Sequence, residues 1–244
     1  MTPFRLLPFL TALFASTLNA ADNATVNFSS GPQQVHLLEL FTSQGCSSCP
    51  PADAWLSHFK HDSRLWKSVV PVAFHVDYWD GLGWRDRFAD PAYSARQRQY
   101  QQSGNVRSVY TPGFVVSGRE WRGWFNRGRP AFTQQRSGIL SGSIQGNQLI
   151  AQYLDGQNTP SRLIAHIVIL GFDLSTPIKS GENSRKTLDE DFVVLWHRRA
   201  ESRDGKWQVE LPDRTRLETQ HQAIAMWVQS ADSPTPLQAS GNWF

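Results

Sequence analysis

The sequence predicts an α/β protein, with a mixed sheet flanked by helices over residues 35–140 and a small antiparallel β domain over residues 141–230. Three observations predict it. Short β-prone apolar runs alternate with helix signals up to about Leu140. From Ile144 onward, strand-like segments are separated by Gly, Pro, Asp and Ser, with no good helix signal. The chain's two cysteines, Cys46 and Cys49, fall between a predicted strand and a predicted helix, which is the setting of a redox pair.

The elements follow in order. Residues 22–34 are polar and read as a loose leader. Val35–Phe41 (VHLLELF) is a short apolar run of the kind found in a buried strand. Pro50 and Pro51 cannot lie deep in a helix, so the helix after the cysteines starts near them, with Trp55, Leu56 and Phe59 on one face. Val69–Val76 (VVPVAFHV) is a second strand. Asp90-Pro91 is an N-cap followed by proline at the first helical position, and that helix stops at Gly104. FVVSGREWRGW reads as two strands about a Ser117-Gly118 turn, and RPAFTQQRSGIL as a closing helix starting near Pro130. NQLIAQYL, SRLIAHIVILGF, EDFVVLWHRR, GKWQVEL and HQAIAMWVQ are the strands of the second half. Residues 231–244 read as an irregular tail.

Composition narrows the function classes. With 244 residues, 40% hydrophobic and 18% charged, the chain can bury a proper core and is not disordered. A net charge of +3 is slight for this length and does not indicate a nucleic-acid partner. Residues 1–21 read as a signal peptide: Arg5 is the positive n-region, Leu6 to Ala15 a short apolar core, and Ala20 or Ala21 the cleavage point. No later run is long and apolar enough to span a membrane. The reading is therefore a periplasmic or secreted protein without stable membrane insertion, in a compartment where disulfides persist.

GCSSCPP, Gly45 to Pro51, carries the candidate chemistry. Cysteine reacts as the thiolate, and the unpaired N–H groups and dipole of a helix N-terminus stabilise that anion. Cys46, nearer the loop, is expected to be exposed and nucleophilic, and Cys49 to be the resolving thiol. A static staple is a poor alternative, because so short a loop gains little closure entropy. A metal site is a second alternative: Cys46, Cys49 and His75 would hold Cu(I) or zinc, although a closed zinc site wants four ligands. No cofactor is predicted.

NVRSVYTPGFVVSGRE resembles the stretch before the final hairpin of thioredoxins, in which a cis proline enters a strand. The resemblance implies a cis Thr111–Pro112 bond, with the backbone of Thr111 beside Cys46 and Pro112 shaping a docking groove. LELFTSQGCSSCPPADAWL, FHVDYWDGLGWRDRFADPAYSARQRQY, RSVYTPGFVVSG and GENSRKTL are similar to the uncharacterised secreted proteins of domain-of-unknown-function family 1223, which is assigned to the thioredoxin-like superfamily. That implies a thioredoxin-like domain over residues 35–140 and a thiol site, and no particular reaction. The family's last motif usually reads GENxGR, whereas here Arg185 directly follows Ser184.

Supporting residues complete the expectation. Glu39, amid Leu and Phe, is either a desolvated general base near the resolving thiol, or else points to solvent or pairs with a basic residue. His75, Asp77, Trp79 and Asp80 end the second strand, where open α/β sheets place their sites. They would tune the thiols or grip a cation or a polar substrate, or else cap turns and pack. His58 and His61 read as solvated surface. The function read from these residues is an exported thiol–disulfide oxidoreductase. It would act on a protein or small-molecule disulfide and be reset by an unspecified redox partner. The alternatives are a metal-handling protein and a binding module on the same scaffold.

Overall fold

A computed structural model describes residues 25–126, 128–155 and 160–244. The predicted signal peptide lies outside the described residues. The first half gives β1 (Val26–Ser29), β2 (His36–Thr42), α1 (Pro50–Ser57), β3 (Val69–His75), α2 (Pro91–Gln102), β4 (Gly113–Val116) and β5 (Arg119–Glu120). The second gives β6 (Ile139–Gln145), β7 (Gln148–Leu154), β8 (Leu163–Gly171), β9 (Leu174–Pro177), β10 (Thr187–Glu190), β11 (Val193–Ser202), β12 (Lys206–Glu210), β13 (Gln222–Ser230) and β14 (Pro236–Trp243).

The predicted fold class is corrected. The chain is not a helix-flanked thioredoxin-like α/β domain followed by a small β domain. It is mostly β-sheet, with α1 and α2 as its α-helices among the described residues. One eight-stranded mixed sheet, in the order β14-β13-β8-β11-β3-β2-β4-β5, crosses residue 140 without a break. β2 runs parallel to β3 in full register from His36↔Val69 to Thr42↔His75. β11 docks parallel on the other side of β3 through Val193↔Ala73, with Ala73 N–H donating to Phe192 O at 2.9 Å. The physical reason is the open edge of β3, whose unpaired backbone groups need a partner. The apolar EDFVVLWHRR run supplies it from the second half.

The large sheet is buried on both faces, which explains why β2, β3 and β8 are wholly buried runs rather than alternating ones. Along β13, Ala223, Ala225 and Trp227 face α1, α2 and the first-half core, while Ile224, Met226 and Val228 face a second core. A four-stranded antiparallel sheet, β1-β6-β7-β12, closes that second core with Leu140, Leu149, Tyr153 and Trp207. Gly142 of β6 lies against the Phe28 ring, where a Cβ would come within 2.3 Å, so this crossing needs glycine.

Three further expectations are corrected. The leader supplies β1, paired with β6, and the tail supplies β14, paired with β13. No helix starts near Pro130. There the backbone bonds run to the leader instead, Gln34 N–H to Gln135 O at 2.8 Å and Ser137 N–H to Pro32 O at 3.0 Å. The two helix starts at Pro50 and Pro91 and the Ser117-Gly118 turn are as read. No helix among the described residues is long and apolar enough to cross a membrane.

Candidate functional site

β2 delivers the chain at Thr42 into a tight loop that ends at α1. Ser43 organises it: its hydroxyl accepts from Gly45 N–H at 3.1 Å and its carbonyl from Cys46 N–H at 3.1 Å. Cys49 N–H donates to Cys46 O at 3.2 Å, and Cys49 O accepts from Ala52 and Asp53. Cys49 is thus the N-cap, and the two prolines fill the positions where a helix has no use for an N–H. Cys46 and Cys49 form a disulfide with Cα atoms 5.4 Å apart. Both are fully buried, and Ser47 and Ser48 are exposed between them. The expected exposure of Cys46 is therefore not found.

Trp79 brings the cysteine loop and the proline loop together. Its Cβ would be 3.1 Å from a Cβ on Gly45, and its Nε1–H donates to Thr111 Oγ1 at 2.8 Å. The Thr111–Pro112 bond is cis, as expected. Gln97 of α2 holds the same loop by donating to Tyr110 O at 2.7 Å. Asp77 ties its loop to α2, and Asp80 braces the loop that follows. The Ser94 hydroxyl donates to Asp77 Oδ1, and Asp80 Oδ1 accepts from Asp86 N–H at 3.0 Å.

A third wall comes from the second half of the chain. Buried Asn183 donates from Nδ2 to Gln44 O at 3.0 Å and to Cys46 O at 2.9 Å. Ser47 N–H donates to Glu182 Oε2 at 3.0 Å. Gly181 packs on Trp84, leaving 3.1 Å for a Cβ, and Ser180 Oγ donates to Gly83 O at 2.5 Å. Arg185 closes this turn with φ +69, a left-handed conformation that suits glycine, and its N–H donates to Ile178 O at 2.9 Å. The turn thus forms without the glycine of the GENxGR pattern.

Beneath the cysteine loop lies a buried polar cluster. Asp86 Oδ2 pairs with His75 Nδ1 at 2.7 Å and accepts from Gln44 N–H at 2.8 Å, and its Oδ1 accepts from Phe88 N–H at 3.0 Å. Gln44 Nε2 donates to Glu190 Oε2 at 2.7 Å and Thr176 Oγ1 at 3.1 Å. Half-buried Asp53 sits at its edge, with Oδ2 accepting from Thr42 Oγ1 at 3.1 Å. Burial works against charge on His75, but Asp86, Glu190 and Asp53 outweigh it and push the imidazolium up to about 9. Desolvation raises Asp53 to about 6 and Glu190 to about 7.

All three groups hold protons more tightly when folded. His75 therefore stabilises the fold fully below its ordinary 6.5, and that contribution is lost as pH rises through about 9. Asp53 and Glu190 push the same way as pH rises from their ordinary values, 3.8 and 4.5. The unfolding free energy is expected to fall between pH 6 and pH 9 by up to about 3 kcal/mol. Urea unfolding in a pH series checks it, and a flat or rising curve would show that His75 is neutral when folded.

Glu39 is buried and paired, accepting from Arg96 Nε at 2.6 Å and from Tyr100 Oη at 2.6 Å. His75 joins the site through Asp86. No group of three or more His, Cys, Asp or Glu side chains that could hold a metal occurs among the described residues. His58 and His61 are exposed. Sequence reasoning missed Asp53, Asp86, Glu190, Glu182 and Asn183. Asp53 carried a signal, because four residues beyond Cys49 on a helix is the same face. Asp86, Glu182 and Asn183 lay in quoted motifs without a sign of their role, and Glu190 read only as part of a strand segment.

A family model described as "Protein of unknown function (DUF1223)" matches residues 37–229. Two solved structures share the fold. The crystal structure of protein AGR_C_4864 from Agrobacterium tumefaciens is 24% identical, covering 85% of this chain and 94% of its own, with a TM-score of 0.58. HBP35 of Porphyromonas gingivalis is 11% identical, covering 87% of this chain and 76% of its own, with a TM-score of 0.54. No curated protein matches the chain.

Proposed function

The chain belongs to the DUF1223 family, and we propose that it acts there as an exported thiol–disulfide oxidoreductase. The observation that carries the reading is the Cys46–Cys49 disulfide at the N-terminus of α1, with Trp79 tying its loop to the Thr111–Pro112 loop. In the reduced protein, the turn carrying exposed Ser47 and Ser48 must move to uncover Cys46, whose thiolate then attacks one sulfur of a substrate disulfide. The substrate S–S bond breaks, a mixed disulfide forms, and the departing thiolate takes a proton from water. Cys49 then gives its proton to Asp53, which lies four residues along the same helix face. The Cys49 thiolate attacks Cys46 Sγ, the mixed disulfide breaks, and the second substrate sulfur leaves as a thiolate that takes up the proton released by Asp53, restoring the Cys46–Cys49 disulfide. A partner dithiol supplies the two electrons and two protons that reset the pair. Half-buried, with partial desolvation raising its pKa to about 6, Asp53 suits the role of proton acceptor.

The segment beside Trp79 and Thr111 would receive the substrate's extended chain. The export signal read in residues 1–21 supports an oxidising compartment, where protein disulfides are abundant. The test is dithiothreitol-driven reduction of a fluorescent two-cysteine peptide disulfide. Wild-type protein is expected to accelerate it and Cys46→Ser to return it to the uncatalysed rate. A wild-type protein that accelerates neither reduction nor oxidation of this substrate would sink the proposal.

A further inference from the structure

The Ser180–Lys186 segment grips the cysteine turn at the residue next to Cys46. Asn183 fixes the segment: its Nδ2 bonds both Gln44 O and Cys46 O, and its Oδ1 accepts from Lys186 Nζ at 2.9 Å. On that anchor, Glu182 reaches out to Ser47. Its carboxylate accepts the Ser47 N–H at 3.0 Å. The Ser47 hydroxyl and this N–H together hold its carboxyl below the usual range, so the group is ionised at neutral pH. A negative charge is thereby fixed one residue away from Cys46, on a backbone donor of the turn itself.

That placement matters only when the pair opens. A disulfide carries no charge, whereas a Cys46 thiolate needs donors. The Ser48 hydroxyl is one, at 3.3 Å from Cys46 Sγ. The Ser47 N–H is another donor of the same short turn, and Glu182 already occupies it. Two anions on one turn repel, and a donor spent on the first does not serve the second. The N-terminus of α1 favours the thiolate, and Glu182 opposes it.

We propose that Glu182 is a positioning residue that makes the Cys46 thiol less acidic and so holds the pair toward the disulfide. The assignment rests on the thiol-exchange reading for its meaning in the cell, and its test does not depend on that reading. The predicted consequence is a cysteine pair that is sluggish until something displaces the Glu182 side chain from Ser47. A bound substrate strand is the natural agent, since it would bring backbone groups of its own to the turn.

The probe is reduced protein alkylated by iodoacetamide across pH 5 to 10, with Cys46 labelling read by mass spectrometry. Glu182→Gln keeps an acceptor for Ser47 N–H and loses the charge. It is expected to move the pH midpoint of Cys46 alkylation down and to raise the rate at pH 7 by about threefold, as befits one exposed charge. Equilibration with dithiothreitol at pH 9 should shift by a similar factor toward the dithiol. Both differences should shrink in 1 M salt, where the Debye length is about 3 Å. Glu182→Asp should behave like wild type. An unchanged midpoint in Glu182→Gln, or an equal change in Glu182→Asp, would overturn the inference and leave a plain tether. A shifted midpoint in a protein that catalyses no exchange would uphold Glu182 and sink the oxidoreductase reading instead.

Discussion

Arg96→Met is expected to lower the unfolding free energy by about 3–5 kcal/mol, the usual cost of leaving one member of a buried ion pair alone. Glu39 lies in the middle of β2 with no solvent exposure, and its two oxygens are met by Arg96 Nε and Tyr100 Oη. Arg96 is itself 5% exposed. Its Nη2 donates to Tyr100 Oη at 2.8 Å, and its guanidinium lies 5.0 Å from the Trp227 ring centroid and 5.1 Å from that of Tyr100. Methionine fills much of the space but leaves the carboxylate with one hydrogen bond in an apolar core. The double variant Glu39→Gln, Arg96→Met removes both charges and should recover most of the loss, which a double-mutant cycle in urea would read. The same pair decides what Glu39 does. If it only pairs with Arg96, the exchange rate per folded molecule of Glu39→Gln equals wild type. A loss of less than about 1 kcal/mol in Arg96→Met would mean that the carboxylate reaches water.

How much of this was legible depended on whether a residue's role was local. β2, β3, β8 and β13 declared themselves as apolar runs, and α1 and α2 through prolines at positions where a missing N–H costs nothing. β1, β6 and β14 did not. Their sequences, VNFS, ILSGSIQ and PLQASGNW, are polar or small-residue rich, and a partner strand rather than intrinsic preference makes them strands. The pairing of β11 with β3 was illegible for a further reason. It joins Ala73 to Val193, and no local pattern encodes so distant a choice. The site divides the same way. Cys46, Cys49 and Thr111–Pro112 are marked by spacing and residue type. Asp86 and Glu190 are ordinary loop and strand acids until the fold places one on His75 and the other on Gln44.

Asp86→Asn is expected to destabilise the protein by about 3–4 kcal/mol at pH 6 and by only about 1 kcal/mol at pH 9.5. The pH dependence follows from His75. With Asp86 opposite, its folded pKa is raised to about 9 from 6.5, so pairing stabilises the fold fully below pH 6.5 and contributes little above pH 9. Asparagine carries no charge, so His75 loses the largest of the acidic influences that hold its proton, burial pulls it back toward the neutral form, and the variant loses most of the low-pH contribution. What persists at every pH is the weaker hold on Gln44 N–H and Phe88 N–H, which a neutral amide oxygen accepts less strongly than a carboxylate. Gln44 lies two residues before Cys46, so the same substitution should loosen the cysteine loop. Dithiothreitol should therefore reduce the buried disulfide faster in the variant at pH 6, with a smaller difference at pH 9.5. Urea unfolding and the reduction rate, measured on one preparation at both values, separate the two effects. An equal loss of stability at both pH values would mean that His75 is neutral against Asp86. Equal reduction rates at pH 6 would mean that the cysteine loop is held by Asn183 and Ser43 without help from below.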